Sequence, residues 1–228
     1  HVASTASVGL HPDLIEFFAW SRHPSPGYFK HPPLGPLMTA AWFAVFPAQE
    51  WAFRLLAMVN AAVALYIVDL IARRYLPGEK RPLVLVLLLL TPLYQFHAER
   101  FGANQTLLAT WPLATYCFLR AFETRAWHWS AAAGAASALA MLGKYWSIYL
   151  VAGFVLAALT HPARRAYLKS PAPWISAAVG AAVLSPHLAW LVATGFQPLD
   201  YAFDTHGHAS VARAVWKAAE YVVGSAAY

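Results

Sequence analysis

The sequence predicts an all-α polytopic membrane protein, and three observations carry this prediction. Of the 228 residues, 60% are hydrophobic and only 11% are charged, whereas a soluble domain has about 45–50% apolar and about 25% charged residues. The hydrophobic residues form long runs, and many of the basic residues stand at the ends of those runs. This placement argues against a nucleic-acid-binding protein despite the net charge of +6, and a single cysteine excludes a disulfide scaffold.

We expect residues 1–228 to be part of a single transmembrane domain and a piece of a longer protein. The chain begins at His1 without a methionine or a signal peptide, and it ends at Tyr228 shortly after a new apolar run has begun. A membrane span needs about 20 apolar residues, or fewer where neighbouring loops dip into the bilayer. The predicted spans are about 51–72, 82–96, 105–120, 130–143, 145–160, 173–194 and the start of another at 214–228.

Residues 11–50 are predicted to form a long outer loop that contains short interfacial helices. The apolar stretch 33–46 would reach only about 21 Å as a helix, at about 1.5 Å per residue. Because this is too short for a crossing, we expect it to lie in the membrane interface, with Trp42 and Trp51 at headgroup depth.

The charge distribution predicts the orientation of the bundle. The segments 73–81, 120–128 and 161–171 hold nine of the sixteen Lys and Arg residues. They fall on one side if each apolar run crosses once, and that side is then cytoplasmic. The loop 11–50 and a polar loop at 195–213 then lie on the opposite, outer side, and we expect the functional site on that side.

The richest candidate stretch lies in the first outer loop. Asp13 and Glu16 are three residues apart, so a helix would put both carboxylates on one face. Such a pair can act as a general base with its partner, or hold a cation. Lys30 and His31 precede a di-proline at a position suited to binding a phosphate. The alternative is a solvated loop whose charges keep it out of lipid.

Further candidates follow two apolar helices. His97, Glu99, Arg100 and Asn104 form a polar cluster, which is either part of a site or an anchor at the membrane interface. Lys144 lies between two apolar helices with no acid nearby in the sequence. A partner and a functional role, such as binding a lipid-linked phosphate, are therefore expected, with snorkelling to the headgroups as the alternative.

The later part of the chain offers weaker candidates. Asp204, His206 and His208 have side chains and spacing that can ligate a metal. His187, which follows Pro186 inside a predicted span, is expected to be a packed or hydrogen-bonded core residue. The absence of a P-loop, a dinucleotide fingerprint, a nucleophile elbow and a paired CxxC argues against an ATPase, a dehydrogenase or an iron–sulfur protein.

Three of these features, in the same order, resemble the family 39 membrane glycosyltransferases. They are the Asp13-x-x-Glu16 pair, the segment Gly27–Leu34 with its His31-Pro32-Pro33-Leu34 end, and the Gly143-Lys144-Tyr145 tip. This family includes relatives of the protein O-mannosyltransferases and of the aminoarabinose transferase that modifies lipid A. The resemblance implies a GT-C fold, which is a helix bundle with its active site at the outer face under an acidic first loop.

The resemblance also implies an activity and its partners. We expect an enzyme that moves a hexosyl or pentosyl group from a polyprenyl-phosphate donor to a hydroxyl or phosphate of a lipid, glycan or protein acceptor. It would be integral to a bacterial inner membrane, in contact with membrane lipids, with its site facing the periplasm and no nucleic acid partner. The family's acidic motif falls on Asp13, with Glu16 one turn on, as the catalytic residues. The substrate-binding candidates are Lys30, His31, Glu99, Arg100, Asn104, Lys144, Tyr145 and His206.

Two positions depart from the family pattern. Many relatives carry an acidic residue where this chain has Lys30, and an aspartate where it has Asn104. In the lipid A relative such carboxylates help to hold a metal ion, together with a histidine that His206 could match. With two carboxylates replaced, we expect no divalent metal and no other cofactor here.

A transporter or lipid-carrier flippase subunit is the alternative from another functional class. Lys144 and the outer acids would then form a substrate relay. Transporters often show paired inverted halves and broken helices near the midplane. The sequence shows no internal repeat, which favours the glycosyltransferase.

Overall fold

The computed structural model describes residues 12–206 and 210–226, and these ranges contain helices and turns but no strand. The predicted all-α fold class is therefore confirmed. The α-helices in the described part of the chain are α1 (Pro12–Ser21), α2 (Leu34–Phe43), α3 (Glu50–Tyr75), α4 (Arg81–Leu90), α5 (Pro92–Ala98), α6 (Ala103–Thr124), α7 (Trp127–Gly143), α8 (Ser147–Thr160), α9 (Arg164–Leu168), α10 (Ala172–Ala193), α11 (Gln197–His206) and α12 (Val211–Ala226).

Each apolar run predicted as a span is mainly helical over the residues that the structure describes, and one run is broken in its interior. The stretch 82–96 is divided between α4 and α5 at Thr91, whose backbone is extended. The cause is Pro92, which has no N–H and disfavours the helical conformation of the residue before it. By length and composition α3 and α10 are suited to cross a membrane. Which helices cross, and where, stays a prediction.

The prediction of a polar loop at 195–213 is wrong over most of that range. Residues Gln197–His206 form α11, and the next helix begins at Val211 rather than at about 214. Gly195 and Phe196 both adopt a positive φ and turn the chain after α10. Pro198 then stands within the first turn of α11, where its missing N–H removes no helical hydrogen bond.

The centre of the bundle is a row of four helices in which small residues permit close packing. α6 lies between α3 and α7, and α7 lies between α6 and α10. Gly134 of α7 touches α10 so closely that an added Cβ would lie 2.2 Å from the carbonyl oxygen of Ser176. The Ser176 hydroxyl also donates to the Ser130 carbonyl at 2.8 Å. Small residues thus bring the backbones of α7 and α10 into close contact.

The three basic segments meet at one end of the bundle, which we call the basic end. Arg74 pairs with Glu123, and the Tyr75 hydroxyl donates to the same carboxylate at 2.8 Å. The Phe122 ring contacts the ring of His161, with a centroid distance of 4.8 Å. The first loop and the short tip between α7 and α8 lie at the opposite end, which we call the loop end.

At the loop end, α1 and α2 cover the bundle through a small aromatic core. Leu14 and Phe17 of α1 are buried against Phe53 of α3 and against Phe101, just before α6. α2 has ten residues, and one of them, Gly35, lies against Phe17, where an added Cβ would lie 2.1 Å from that ring. This packing fixes the position of α1 and therefore of its two carboxylates.

Candidate functional site

Asp13 stands in the first turn of α1 at the surface of the loop end. Its neighbour Leu14 is buried in the aromatic core, which leaves the Asp13 side chain exposed beside the start of α6. An added Cβ at Gly102 would lie 3.9 Å from the Asp13 Cβ and 3.0 Å from the Gln105 side-chain oxygen. The backbone at Gly102 therefore lies close to the Asp13 side chain.

Glu16, one turn further along α1, forms an ion pair with Lys30. The Lys30 ammonium lies 3.2 Å from both carboxylate oxygens of Glu16. Burial acts to lower the pKa of Lys30, but the hydrogen bond and negative charge of Glu16 outweigh it, so the pKa lies above its ordinary value. The ammonium also lies 5.8 Å from the centroid of the Tyr201 ring on α11. The Lys30 side chain is thus fixed by its ion pair with Glu16 and carries a full positive charge.

Lys144 occupies the extended break between α7 and α8, close to the start of α6. Gly143 permits this approach, because an added Cβ there would lie 2.7 Å from the Thr106 hydroxyl. The half-buried ammonium donates a hydrogen bond to the side-chain oxygen of Asn104. Burial lowers the pKa of Lys144, while the negative charge of Asp13 acts in the opposite direction. The partner expected for this lysine is therefore a neutral amide, with a carboxylate near enough to act on its charge.

His31 lies behind these charged groups among aromatic rings. Its ring centroid is 6.2 Å from that of Phe17 and 6.0 Å from that of Trp20. Burial, and then the positive charges of Lys144 and Lys30, lower the pKa of His31 to about 4. The imidazole is consequently neutral at pH 7 and adds no positive charge for a phosphate.

The other predicted residues lie around this cluster. Arg100 places its guanidinium 4.5 Å from the centroid of the Phe96 ring, and Glu99 is the half-buried residue that caps α5. The Tyr145 hydroxyl forms a hydrogen bond with His187 of α10 at 2.9 Å. The side chain of His206 lies outside the described part of the chain.

Two further polar contacts lie at the loop end, and the sequence indicates only one of them. The Gln105 amide nitrogen lies 2.8 Å from Nδ1 of His97, a pairing of two helices that spacing does not reveal. His187 is 4% exposed and hydrogen-bonded to both Tyr145 and the Pro26 carbonyl. The expectation of a hydrogen-bonded core histidine is confirmed, and its position after Pro186 inside an apolar run was the signal.

The described part of the loop end offers space for a substrate but no cluster of metal ligands. Within the described ranges, no three His, Cys, Asp or Glu side chains come together in a way that could hold a metal ion. A cavity of about 370 Å³ lies between the first loop, α7 and α10, and its lining is mainly apolar, with Pro26, Leu142 and Val183 among the residues. The loop end therefore combines an exposed carboxylate, two ammonium groups and an apolar cavity.

Such a set of groups can bind a phosphate and accept a proton. Ammonium groups of low exposure stabilise phosphate oxygens strongly, because the surrounding dielectric constant is low. An exposed carboxylate can take a proton from a hydroxyl group. The chemistry that this arrangement supports is the displacement of a phosphate leaving group.

Comparison with known proteins gives the family. The family model of the dolichyl-phosphate-mannose-protein mannosyltransferases matches residues 30–190, which is well over half of the chain. Neither the comparison with curated proteins nor that with solved structures gave a match. The matched range includes Lys30, Asn104 and Lys144, and it ends three residues beyond His187. The chain belongs to the dolichyl-phosphate-mannose-protein mannosyltransferase family, and it is a membrane glycosyltransferase of the GT-C type.

Proposed function

We propose that the protein transfers a sugar from a polyprenyl-phosphate donor to an acceptor hydroxyl or phosphate group at the loop end, on the outer face of the membrane. The observation that carries this proposal is that Asp13, Lys30 and Lys144 come together at one end of the bundle although 131 positions separate the first from the last. Their charges act on one another there, and the basic end lies at the other extreme of the helices.

Lys144 is the group that we assign to the donor phosphate. Its ammonium is half-buried and held by a neutral oxygen of Asn104, so its positive charge is available to an anion from outside. Lys30 contributes a second positive charge, although Glu16 shares it. As the bond from sugar C1 to the phosphate oxygen breaks, the leaving phosphate takes the electron pair, and these cations stabilise its charge.

Asp13 is the residue that we assign as the base. Its exposed carboxylate takes the proton of the acceptor hydroxyl while the acceptor oxygen forms the new bond to C1. Glu16 is occupied by Lys30, at 3.2 Å from both of its oxygens, so it acts by holding Lys30 in place. For an acceptor phosphate, which is already ionised, Asp13 would not be needed as a base, and the variants described below separate the two acceptor types.

The apolar cavity suits a donor whose carrier is a lipid. Pro26, Leu142 and Val183 line it, and Leu142 stands two residues before Lys144, so apolar side chains for a prenyl chain lie near the tip that carries the ammonium. A lipid-linked donor also requires no soluble nucleotide site, in agreement with the lack of a P-loop or dinucleotide motif.

The test is transfer from a radiolabelled polyprenyl-phosphate mannose by the full-length protein, purified in detergent or nanodiscs. Peptide, glycan and lipid acceptors are offered in parallel. We expect labelled product with one acceptor class, strongly reduced in Asp13→Asn and retained in Glu79→Gln, an exposed acid of the basic end. Absence of labelled product with every acceptor, or a Glu79→Gln loss as large as that of Asp13→Asn, would refute the proposal.

A further inference from the structure

His187 links three separate parts of the loop end through its two ring nitrogens. It belongs to α10, one residue after Pro186. Its Nδ1 lies 2.7 Å from the carbonyl oxygen of Pro26 in the first loop, and its Nε2 lies 2.9 Å from the hydroxyl oxygen of Tyr145 in the tip between α7 and α8. The contact to Pro26 spans 161 positions of the chain.

The hydrogen-bond directions follow from the partners. A carbonyl oxygen can only accept, so Nδ1 of His187 carries the proton and donates it to Pro26. In the neutral ring Nε2 is then an acceptor, and the Tyr145 hydroxyl donates to it. Tyr145 therefore donates to His187, and His187 donates to Pro26. Because His187 is only 4% exposed, water cannot replace a lost hydrogen-bond partner at low cost.

The surrounding packing holds the ring in this orientation. The His187 ring is stacked with those of Tyr145 and Trp190, each at a centroid distance of 5.8 Å. Gly27 of the first loop lies directly on Trp190, where an added Cβ would be 2.3 Å from the indole ring. The first loop therefore rests on α10 at the point where His187 bonds it.

Tyr145 is the residue next to Lys144, so the hydrogen bond of Tyr145 to His187 also restrains the position of Lys144. The Lys144 backbone is extended, and its N–H donates to the Ala140 carbonyl at the end of α7. On the other side Ser147 starts α8, and its hydroxyl donates to the same Ala140 carbonyl at 2.7 Å. The bond from Tyr145 to His187 fixes the middle of this short connection from the α10 side.

We infer that His187 is a positioning residue for sugar transfer: through Tyr145 it holds the Lys144 tip in the place where the ammonium meets the donor phosphate, and through Pro26 it ties that tip to the first loop that carries the acidic residues. This inference rests on the proposed function. It assigns to His187 a role in binding the donor phosphate that acts through Tyr145 and Pro26 rather than through contact with the phosphate.

Conservative variants separate this role from simple core packing. Tyr145→Phe removes only the hydroxyl and keeps the ring. His187→Gln can place an amide oxygen near the former Nε2 position and accept from Tyr145, whereas His187→Asn can place an amide nitrogen near the former Nδ1 position and donate to Pro26. Ser185→Ala is the matched control, because Ser185 is an exposed residue of α10 whose hydroxyl bonds only within that helix.

The experiment measures binding of radiolabelled polyprenyl phosphate to full-length protein, and hydrogen exchange of the tip amides at 144–149. We expect Tyr145→Phe and His187→Asn to weaken binding about tenfold, the order of cost of leaving a buried polar group without its partner. Tip exchange should accelerate by about threefold or more. His187→Gln should retain more affinity than His187→Asn, and Ser185→Ala should match the wild type in both measurements.

The outcomes distinguish this inference from the proposed function. If the wild type binds the lipid phosphate and Tyr145→Phe binds it equally well with unchanged tip exchange, the inference is overturned and the proposed function stands. If binding weakens while melting temperature and tip exchange stay at wild-type values, Tyr145 contacts the donor itself and the positioning role is wrong. If the wild type does not bind the lipid phosphate, the proposed function fails, and the inference fails with it.

Discussion

The two ends of the helix bundle both carry clusters of basic residues, but they hold the positive charges in different ways. At the basic end several arginines pair with a carboxylate, and Asp69 pairs with both Arg73 and Arg81. Glu123 does the same for Arg74. At the loop end the Lys144 ammonium donates to the neutral Asn104 oxygen instead.

This difference bears on whether the charge of an individual cation is available to a ligand. An arginine paired with a carboxylate has its charge largely neutralised within the protein, and such an exposed pair adds only about 0–1 kcal/mol to stability. A half-buried ammonium bonded to an amide keeps its net charge, and the lowered pKa of Lys144 reflects the desolvation cost of keeping it. An anionic substrate can repay that cost, which is why we place the donor phosphate at the loop end.

The largest effect is expected from Asp13→Asn, which tests whether the loop end is the catalytic end. With a hydroxyl acceptor, loss of a general base should lower turnover by about 10²–10⁴-fold. Donor binding should stay near the wild-type value, because Asp13 acts on the acceptor. Steady-state kinetics with separate donor-binding measurements checks both. If Glu16→Gln abolishes turnover while Asp13→Asn is nearly unaffected, the two roles are exchanged.

Asn104→Asp makes the loop end resemble the basic end by giving Lys144 a carboxylate partner. We expect donor binding to weaken by about tenfold, since the new negative charge competes with the phosphate and repels it. Equilibrium binding of polyprenyl phosphate measures this change, with the neutral Asn104→Gln as the control. Unchanged or tighter binding by Asn104→Asp in the presence of a chelator would show that the amide is not what keeps the Lys144 charge available.

The pH dependence of donor binding should report the state of Lys144. Burial lowers the pKa of Lys144, so this ammonium loses its proton at a lower pH than an ordinary lysine does. Affinity for polyprenyl phosphate should therefore be highest at neutral pH and fall as the pH rises through that lowered pKa. In Lys144→Arg the fall should move to higher pH or vanish, because a guanidinium stays charged. An identical alkaline fall in both proteins would assign it to another group.

Chelation tests whether the cations of the loop end replace a metal ion. We expect EDTA to lower turnover by less than about twofold, since Lys30 and Lys144 supply the positive charge that a divalent ion otherwise gives to a phosphate. Loss of activity in EDTA that a divalent ion restores would contradict this prediction. Asp204, His206 and Glu99 would then be the first ligands to replace.

The smallest effect is expected at the basic end. Glu123→Gln removes the carboxylate that pairs with Arg74, and that pair is partly exposed. Turnover should stay within about twofold of the wild type, and the melting temperature should fall only slightly, as expected of an exposed ion pair. A large loss of turnover measured in the same assay would show that the basic end takes part in the reaction.

The helices could be predicted from the sequence because most of them depend on local patterns. Apolar runs between basic segments give α3, α6 and α10, and Pro92 marks the break between α4 and α5. The tip at Gly143–Tyr145 is also visible, since a lysine interrupts two apolar runs. α11 could not be predicted in this way, because its polar composition is typical of a loop and its contact with Lys30 is a tertiary one.

The site could be predicted only as separate residues. Asp13, Glu16, Lys30 and Lys144 stand out because charged residues are rare in this chain, yet their pairing depends on how the helices pack. The bond from Lys144 to Asn104 spans 40 positions, and the bond from Tyr145 to His187 spans 42. No sequence spacing encodes such contacts, and the aromatic core around Phe17 and Phe101 that places α1 is equally non-local.

The most direct test of the account is to determine which end of the bundle binds the lipid phosphate. A photoactivatable polyprenyl phosphate, with its reactive group next to the phosphate, is bound to full-length protein in nanodiscs, irradiated, and mapped by mass spectrometry. We predict cross-links in the tip at 143–147 and at 102–106 near the start of α6, removed by an excess of unmodified polyprenyl phosphate and reduced in Lys144→Ala. Competed cross-links confined to 73–81 and 120–128 would contradict the account.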